Sequence, residues 1–131
     1  MKVLGPFEYV FWNYGVLLLL DEYFYIVKLN KKASMKFGFS TQIPIFSDPV
    51  ENLTISSLDS FLQEHEFVKL EYDCDCKVEI KYSSWGNSIY VEAGSRSYKF
   101  KIMNRYKSQQ YQDWLNESFQ EKFSVEGTYI D

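Results

Sequence analysis

Phe67-Val68-Lys69-Leu70-Glu71-Tyr72-Asp73-Cys74-Asp75-Cys76-Lys77-Val78-Glu79-Ile80-Lys81-Tyr82 is the stretch on which the fold turns. Val68, Leu70 and Tyr72 alternate with Lys69 and Glu71, and after Asp73-Cys74-Asp75 the residues Val78, Ile80 and Tyr82 alternate with Lys77, Glu79 and Lys81. A period of two places one set on an apolar face and the other on a charged face, which is the pattern of a half-buried β-strand. The alternation continues beyond the stretch. Ser83-Ser84-Trp85-Gly86-Asn87 reads as a turn before Ile89, Val91 and Ala93; Gly94-Ser95-Arg96-Ser97 precedes Tyr98, Phe100 and Ile102, with Lys99 and Lys101 pointing the other way. Four successive strands in a meander are expected over residues 68–102.

Further along, from about Ser108, the period changes to 3.6. Tyr111, Trp114, Leu115, Phe119 and Phe123 fall on one helical stripe, which should pack across the sheet, and Ser108 is placed to cap its start. A shorter helix is expected from Ser57 to His65, where Leu58, Phe61 and Leu62 share a face and Ser56 or Ser57 can cap. Toward the N-terminus, Val3 to Trp12, Val16 to Leu29 and Ser34 to Phe39 have strand-like composition, without a pattern that sets their register. Pro6, Pro44 and Pro49 are expected at strand ends or connections. The block Gly15-Val16-Leu17-Leu18-Leu19-Leu20 is stopped by Asp21-Glu22. It is far shorter than the ~20 apolar residues that span a bilayer, and no small-residue cleavage site follows it. A buried strand is the expectation for it, with no membrane span.

At 131 residues, one domain over 1–131 with one core is expected. The 11 Tyr, 11 Phe and 3 Trp favour strands over helix interiors. The expected class is α+β: a mainly antiparallel sheet of six to eight strands, strongly curved or barrel-like, with the C-terminal amphipathic helix packed on it and one short mid-chain helix. Two cysteines, Cys74 and Cys76, are too few and too close for a disulfide framework and fit a reduced, cytoplasmic setting.

Chemistry-bearing residues are sparse. His65 is the single histidine, so a Cys–His pair has only Cys74 or Cys76 as its thiol, and Asp73 and Asp75 flank Cys74 and oppose its ionisation. The same residues offer zinc ligands, but at C-x-C spacing with no second knuckle. Asp21 and Glu22, as strand neighbours, point to opposite faces and cannot share a substrate. No nucleophile elbow, phosphate-binding glycine loop or dinucleotide fingerprint occurs. The expectation is a chain that is not an enzyme and needs no metal or cofactor.

The net charge of −4 hides a polarised chain. Residues 48–75 hold Asp48, Glu51, Asp59, Glu64, Glu66, Glu71, Asp73 and Asp75 against Lys69; residues 81–107 hold Lys81, Arg96, Lys99, Lys101, Arg105 and Lys107 against Glu92. The acidic segment can focus negative potential and steer a basic protein.

Two resemblances attach to the basic parts. Lys36-Phe37-Gly38-Phe39 resembles part of the aromatic RNA-stacking motif of the RRM family, without its first glycine and its following apolar-x-aromatic pattern. The strand Tyr98 to Ile102, followed by a helix carrying Trp114, resembles the end of the pleckstrin-homology superfold, which implies a scaffold for lipid headgroups or peptides. Lys28, Lys31, Lys32 and Lys36 then stand for its basic first hairpin. The arginine of the lipid-binding pattern is missing, and the helix near Ser57 departs from that fold.

The function favoured by the sequence is a non-catalytic module binding a basic protein, an inhibitor of the kind represented by bacterial immunity or phage counter-defence proteins. Glu64, Glu66, Asp73 and Asp75 form its expected surface, with Trp85 and Tyr90 as aromatic anchors. The alternatives are a pleckstrin-like or RNA-binding adaptor using residues 28–36 and 96–107, and a self-assembling structural subunit.

Overall fold

The apolar block after Tyr14 becomes a strand with every residue buried, and the layers on its two sides explain why. A computed structural model describes residues 1–9, 13–30, 50 and 52–129. In it, strands β1 (Lys2–Glu8), β2 (Tyr14–Leu19) and β3 (Tyr23–Lys28) are followed by helix α1 (Leu58–Glu64). Strands β4 (Glu66–Glu71), β5 (Cys76–Lys81), β6 (Ser88–Ala93) and β7 (Arg96–Ile102) come next, then helix α2 (Ser108–Phe119) and strand β8 (Phe123–Glu126). All eight strands join one sheet in the order β4-β3-β2-β1-β7-β6-β5-β8. Every pairing is antiparallel except β5 with β8.

The helices cover opposite faces. On one side Val16, Leu18, Tyr25 and Val27 pack with Leu58, Phe61 and Leu62 of α1; on the other, Leu17, Leu19, Phe24, Val78, Ile80, Ile89, Val91 and Phe100 pack with Tyr111, Leu115 and Phe119 of α2. A strand covered on both faces has no solvent side to mark with polar residues, so β2 reads as an unbroken apolar run. Among the described residues, α2 is the helix that covers strands β5 to β7. Lys77, Glu79, Lys81, Lys99 and Lys101 line their other face, which is the alternation seen in the sequence.

Strand β1 carries a bulge. Leu4 pairs with Leu17 and Phe7 with Gly15, so three steps on β1 oppose two on β2. The extra residue puts both Leu4 and Phe7 under α2, although their spacing would send them to opposite faces of a regular strand. Gly5, at φ +122°, supplies the backbone conformation that a side chain would resist. Pro6 therefore lies inside β1 at the bulge, not at a strand end.

Several expectations are corrected. The meander has three strands, β5 to β7; β4 pairs with β3, and the Tyr72–Asp75 turn is not a hairpin. Those four residues link the first and seventh strands of the sheet. No ladder joins β4 to β5 or β8, and the sheet stays open at those two edges instead of closing as a barrel.

Phe123 belongs to β8, because α2 ends at Phe119 and Gln120 adopts φ 52°. Ser108 does not cap α2. It is fully buried, and its Oγ accepts from the Asn87 side chain at 3.0 Å, while Asn104 caps the preceding 3₁₀ turn. Ser57 likewise makes no side-chain cap on α1; its Oγ accepts from the Thr54 N–H at 3.0 Å. The strand expected at 34–39, Pro44, Pro49, Lys31, Lys32 and Lys36 lie outside the described residues. Helix α2 does follow β7, as the pleckstrin resemblance implies, but β8 and the second-face helix α1 have no place in it.

Candidate functional site

Strand β4 decides which of the expected acidic residues can act together. Glu64 and Glu66 stand at its start, Asp73 and Asp75 after its end, and its six residues extend ~20 Å. All four are exposed, but they form two separate groups.

The second group is the larger in space. Tyr23 pairs with Glu71, so the two-residue turn Asp21-Glu22 between β2 and β3 lies beside the turn that follows β4. Exposed Asp21, Glu22, Glu71 and Asp73 thus come together at one end of β2–β4 from two turns far apart in sequence, and Asp75 stands two residues on, where the chain enters β5. Asp21 also shares a surface hollow with Tyr72 and Glu117 of α2. Sequence reasoning treated Asp21-Glu22 only as a pair ending a strand; the missing signal was the β3–β4 register, which alternation in β4 alone does not supply.

The end is firmly built. The Tyr72 hydroxyl donates to the Leu20 carbonyl at 2.7 Å, joining the two turns. Burial raises the Tyr72 hydroxyl pKa, and Asp21 adds to the rise, so the phenol stays a donor. Lys122 donates to the Tyr72 carbonyl and, at 2.8 Å, to that of Cys74. Lys2 reaches Glu117 at 2.8 Å, and Lys69 lies 4.1 Å from the centre of the Tyr23 ring. These cations offset part of the negative charge without enclosing the five exposed carboxylates.

Helix electrostatics do not account for this layout. Helix dipoles favour acids at the N-terminus and cations at the C-terminus, each by about 0.3–1 kcal/mol. Around α2 the signs are reversed: Arg105 and Lys107 precede it, Glu117 stands in its last turn, Glu121 follows it, and neither an acid in its first turn nor a base in its last assists it.

The remaining expected site residues lie elsewhere. Trp85 tips the β5–β6 turn with 92% of its surface exposed, at the end of that hairpin away from Asp75. Tyr90 is in the middle of β6 on the face not covered by α2, where Lys99 lies 5.7 Å from its ring. Neither is an anchor beside the acidic end.

His65 and the cysteines are also kept apart, at opposite ends of β4, so the Cys–His pair and the zinc ligand set do not assemble. His65 Nδ1 accepts from the Asn30 N–H at 2.9 Å, and burial lowers its pKa. The Cys76 thiol is pushed up to about 11, first by burial and then by its neighbour Cys74. A thiol raised in this way stays protonated at pH 8, and the thiolate is the reactive form; Cys76 is also buried, whereas Cys74 is half-buried. Treatment of the native protein with a thiol-specific disulfide reagent at pH 8 is therefore expected to release one rapid equivalent, from Cys74, and a second only on unfolding. Two equal rapid phases in the folded protein would contradict this.

Searches against protein-family models, curated proteins and solved structures find no match for this chain.

Proposed function

We propose that the chain is a non-catalytic protein-binding module of inhibitor type that meets a basic protein through its acidic end. The observation that carries this reading is that Asp21, Glu22, Glu71 and Asp73, with Asp75 two residues on, are brought together by two turns that lie side by side. Like charges gathered on a firm scaffold repel one another and weaken the fold, but they steer an oppositely charged partner and occlude its basic groups. Glu64 and Glu66 fall outside this surface, and Trp85 and Tyr90 are not required by it.

The test is capture of partners from the native lysate by the tagged full chain at ~0.1 and ~1 M salt, between which the Debye length falls from about 10 to 3 Å. One basic protein, retained stoichiometrically and released by salt, is the expected result. Recovery of nucleic acid, or of the chain alone, would reject the proposal.

A further inference from the structure

Among the described residues, the α2 side of the sheet is covered only in part. Tyr111 and Phe119 of α2 lie against Phe7 and Phe24, at 5.5 and 4.9 Å between ring centres. Beside β7 the same face carries Tyr9, Ile26, Val68, Tyr98 and Phe100 around an open cleft of about 370 Å³. Its lining comes from β3, β4, β7 and the residue after β1, and among the described residues no side chain of α2 takes part.

Its floor is aromatic. Tyr9 and Phe100 stack at 5.4 Å, and Tyr98 and Phe100 at 6.3 Å with planes 7° apart. Tyr9 and Tyr98 are half-buried and keep ring surface toward the cleft. The rim is charged: Lys28 of β3, Glu66 of β4 and Arg96 of β7, all exposed. Lys28 and Glu66 stand directly opposite each other in the β3–β4 ladder, so their charges partly offset, while Arg96 forms no ion pair with either; the ion pairs among the described residues are Lys2–Glu117 and Lys81–Glu126. Two cations and one acid make the cleft locally positive in a chain of net charge −4. The two basic stretches of the sequence meet here through their first residues.

We propose that this cleft is a binding site for a small ligand consisting of a planar aromatic ring that carries a phosphate or carboxylate. The volume falls within the range of about 300–1,000 Å³ typical of small-molecule sites. Arg96 offers a planar fork matched to either anion, and Lys28 adds a second positive charge across the cleft. Glu66 accepts from a ring N–H or amino group. The ring lies over the open faces of Tyr9 and Tyr98, not between them: their centres are 6.4 Å apart, and a sandwiched ring needs ~7 Å, two contact distances. The site shares no residue with the acidic end, and the inference stands whether or not a basic protein binds there.

Calorimetric titration of the full chain tests it. The probes are the four ribonucleoside monophosphates, indole-3-acetate as an aromatic carboxylate, and two half-ligands, adenosine and inorganic phosphate. Stacking and a charge-assisted contact are each worth about tenfold or more, so at least one ring-bearing anion is expected to bind about ten times more tightly than either half-ligand. A nucleotide response identifies the phosphate source and a response to indole-3-acetate alone the carboxylate source.

Arg96→Gln, at an exposed position, is expected to weaken binding about tenfold, and Lys99→Gln, on the opposite face, to leave it unchanged. Tyr98→Leu should remove the stacking share; if it fails to fold, Lys28→Gln takes its place beside Arg96→Gln. The proposal is overturned if no ring-bearing anion binds better than inorganic phosphate, or if Arg96→Gln leaves the affinity intact.

Discussion

Phe24→Ala is expected to remove about 3–5 kcal/mol of unfolding free energy, the usual cost of deleting a fully buried phenylalanine and leaving part of its cavity open. The ring has no exposure. It stands edge-on to Phe119 at 4.9 Å and stacks on Tyr72 at 5.4 Å, and Tyr72 and Phe119 meet edge to face at 5.2 Å. Three elements are tied at this point: β3, the residue following β4, and the last turn of α2. Collapse cannot refill the space cheaply, because each neighbour is held by its own backbone ladder or helix. Against a typical total stability of about 5–15 kcal/mol the loss is large. Urea unfolding should show it as a lower midpoint with unchanged denaturant dependence, the mark of altered stability without altered exposure. A loss below about 1 kcal/mol would mean that the three-ring contact is not the joint described. The same joint underlies the acidic end, since Asp21 and Glu22 lead into β3 and Asp73 follows Tyr72.

How far the sequence foretold this arrangement depended on how many faces of each element are covered. Strands β5 to β7 have one solvated face, and their alternation announced both the strands and the side α2 would occupy. Helices α1 and α2 were legible from the spacing of Leu58, Phe61 and Leu62 and of Tyr111, Leu115 and Phe119. Strand β2, covered on both sides, was recognisable as buried but carried no periodic signal to set its register. In β1 the bulge at Gly5-Pro6 shifts the alternation by one residue, so Leu4 and Phe7 read as opposite-facing although they share a core.

Strand β8 was hidden because Phe123 continues the helical spacing of Phe119. What ends the helix is a positive φ at Gln120, a residue type that does not advertise it. The pairing of β4 with β3 depends on a contact between segments about forty residues apart, and local pattern is silent on that. The candidate site suffered for the same reason: Asp73 and Asp75 were found from their own neighbourhood, while Asp21, Glu22 and Glu71 joined them only through the β3–β4 register.

Replacing Asp21, Asp73 and Asp75 together with lysine is expected to slow association with the proposed basic partner by about 10- to 1,000-fold at low salt, the range over which a focused field alters encounter rates. Each substitution changes the local charge by two units at an exposed position. Unfolding free energy should move by no more than about 0.5 kcal/mol per site, in the stabilising direction if repulsion among the acids dominates. The paired control is Glu64→Lys with Glu66→Lys, which alters acids of the same type at the far end of β4. If the acidic end is the binding surface, the control pair changes the rate far less than the triple variant, and ~1 M salt brings the triple variant and the native chain together by screening both. The dissociation rate separates two geometries. Little change means that the carboxylates form a steering rim, whereas a large increase means that they are desolvated against the partner's cations. Equal slowing by the two sets would assign steering to net charge alone, and no slowing by the triple variant would remove this end of the sheet from the interface.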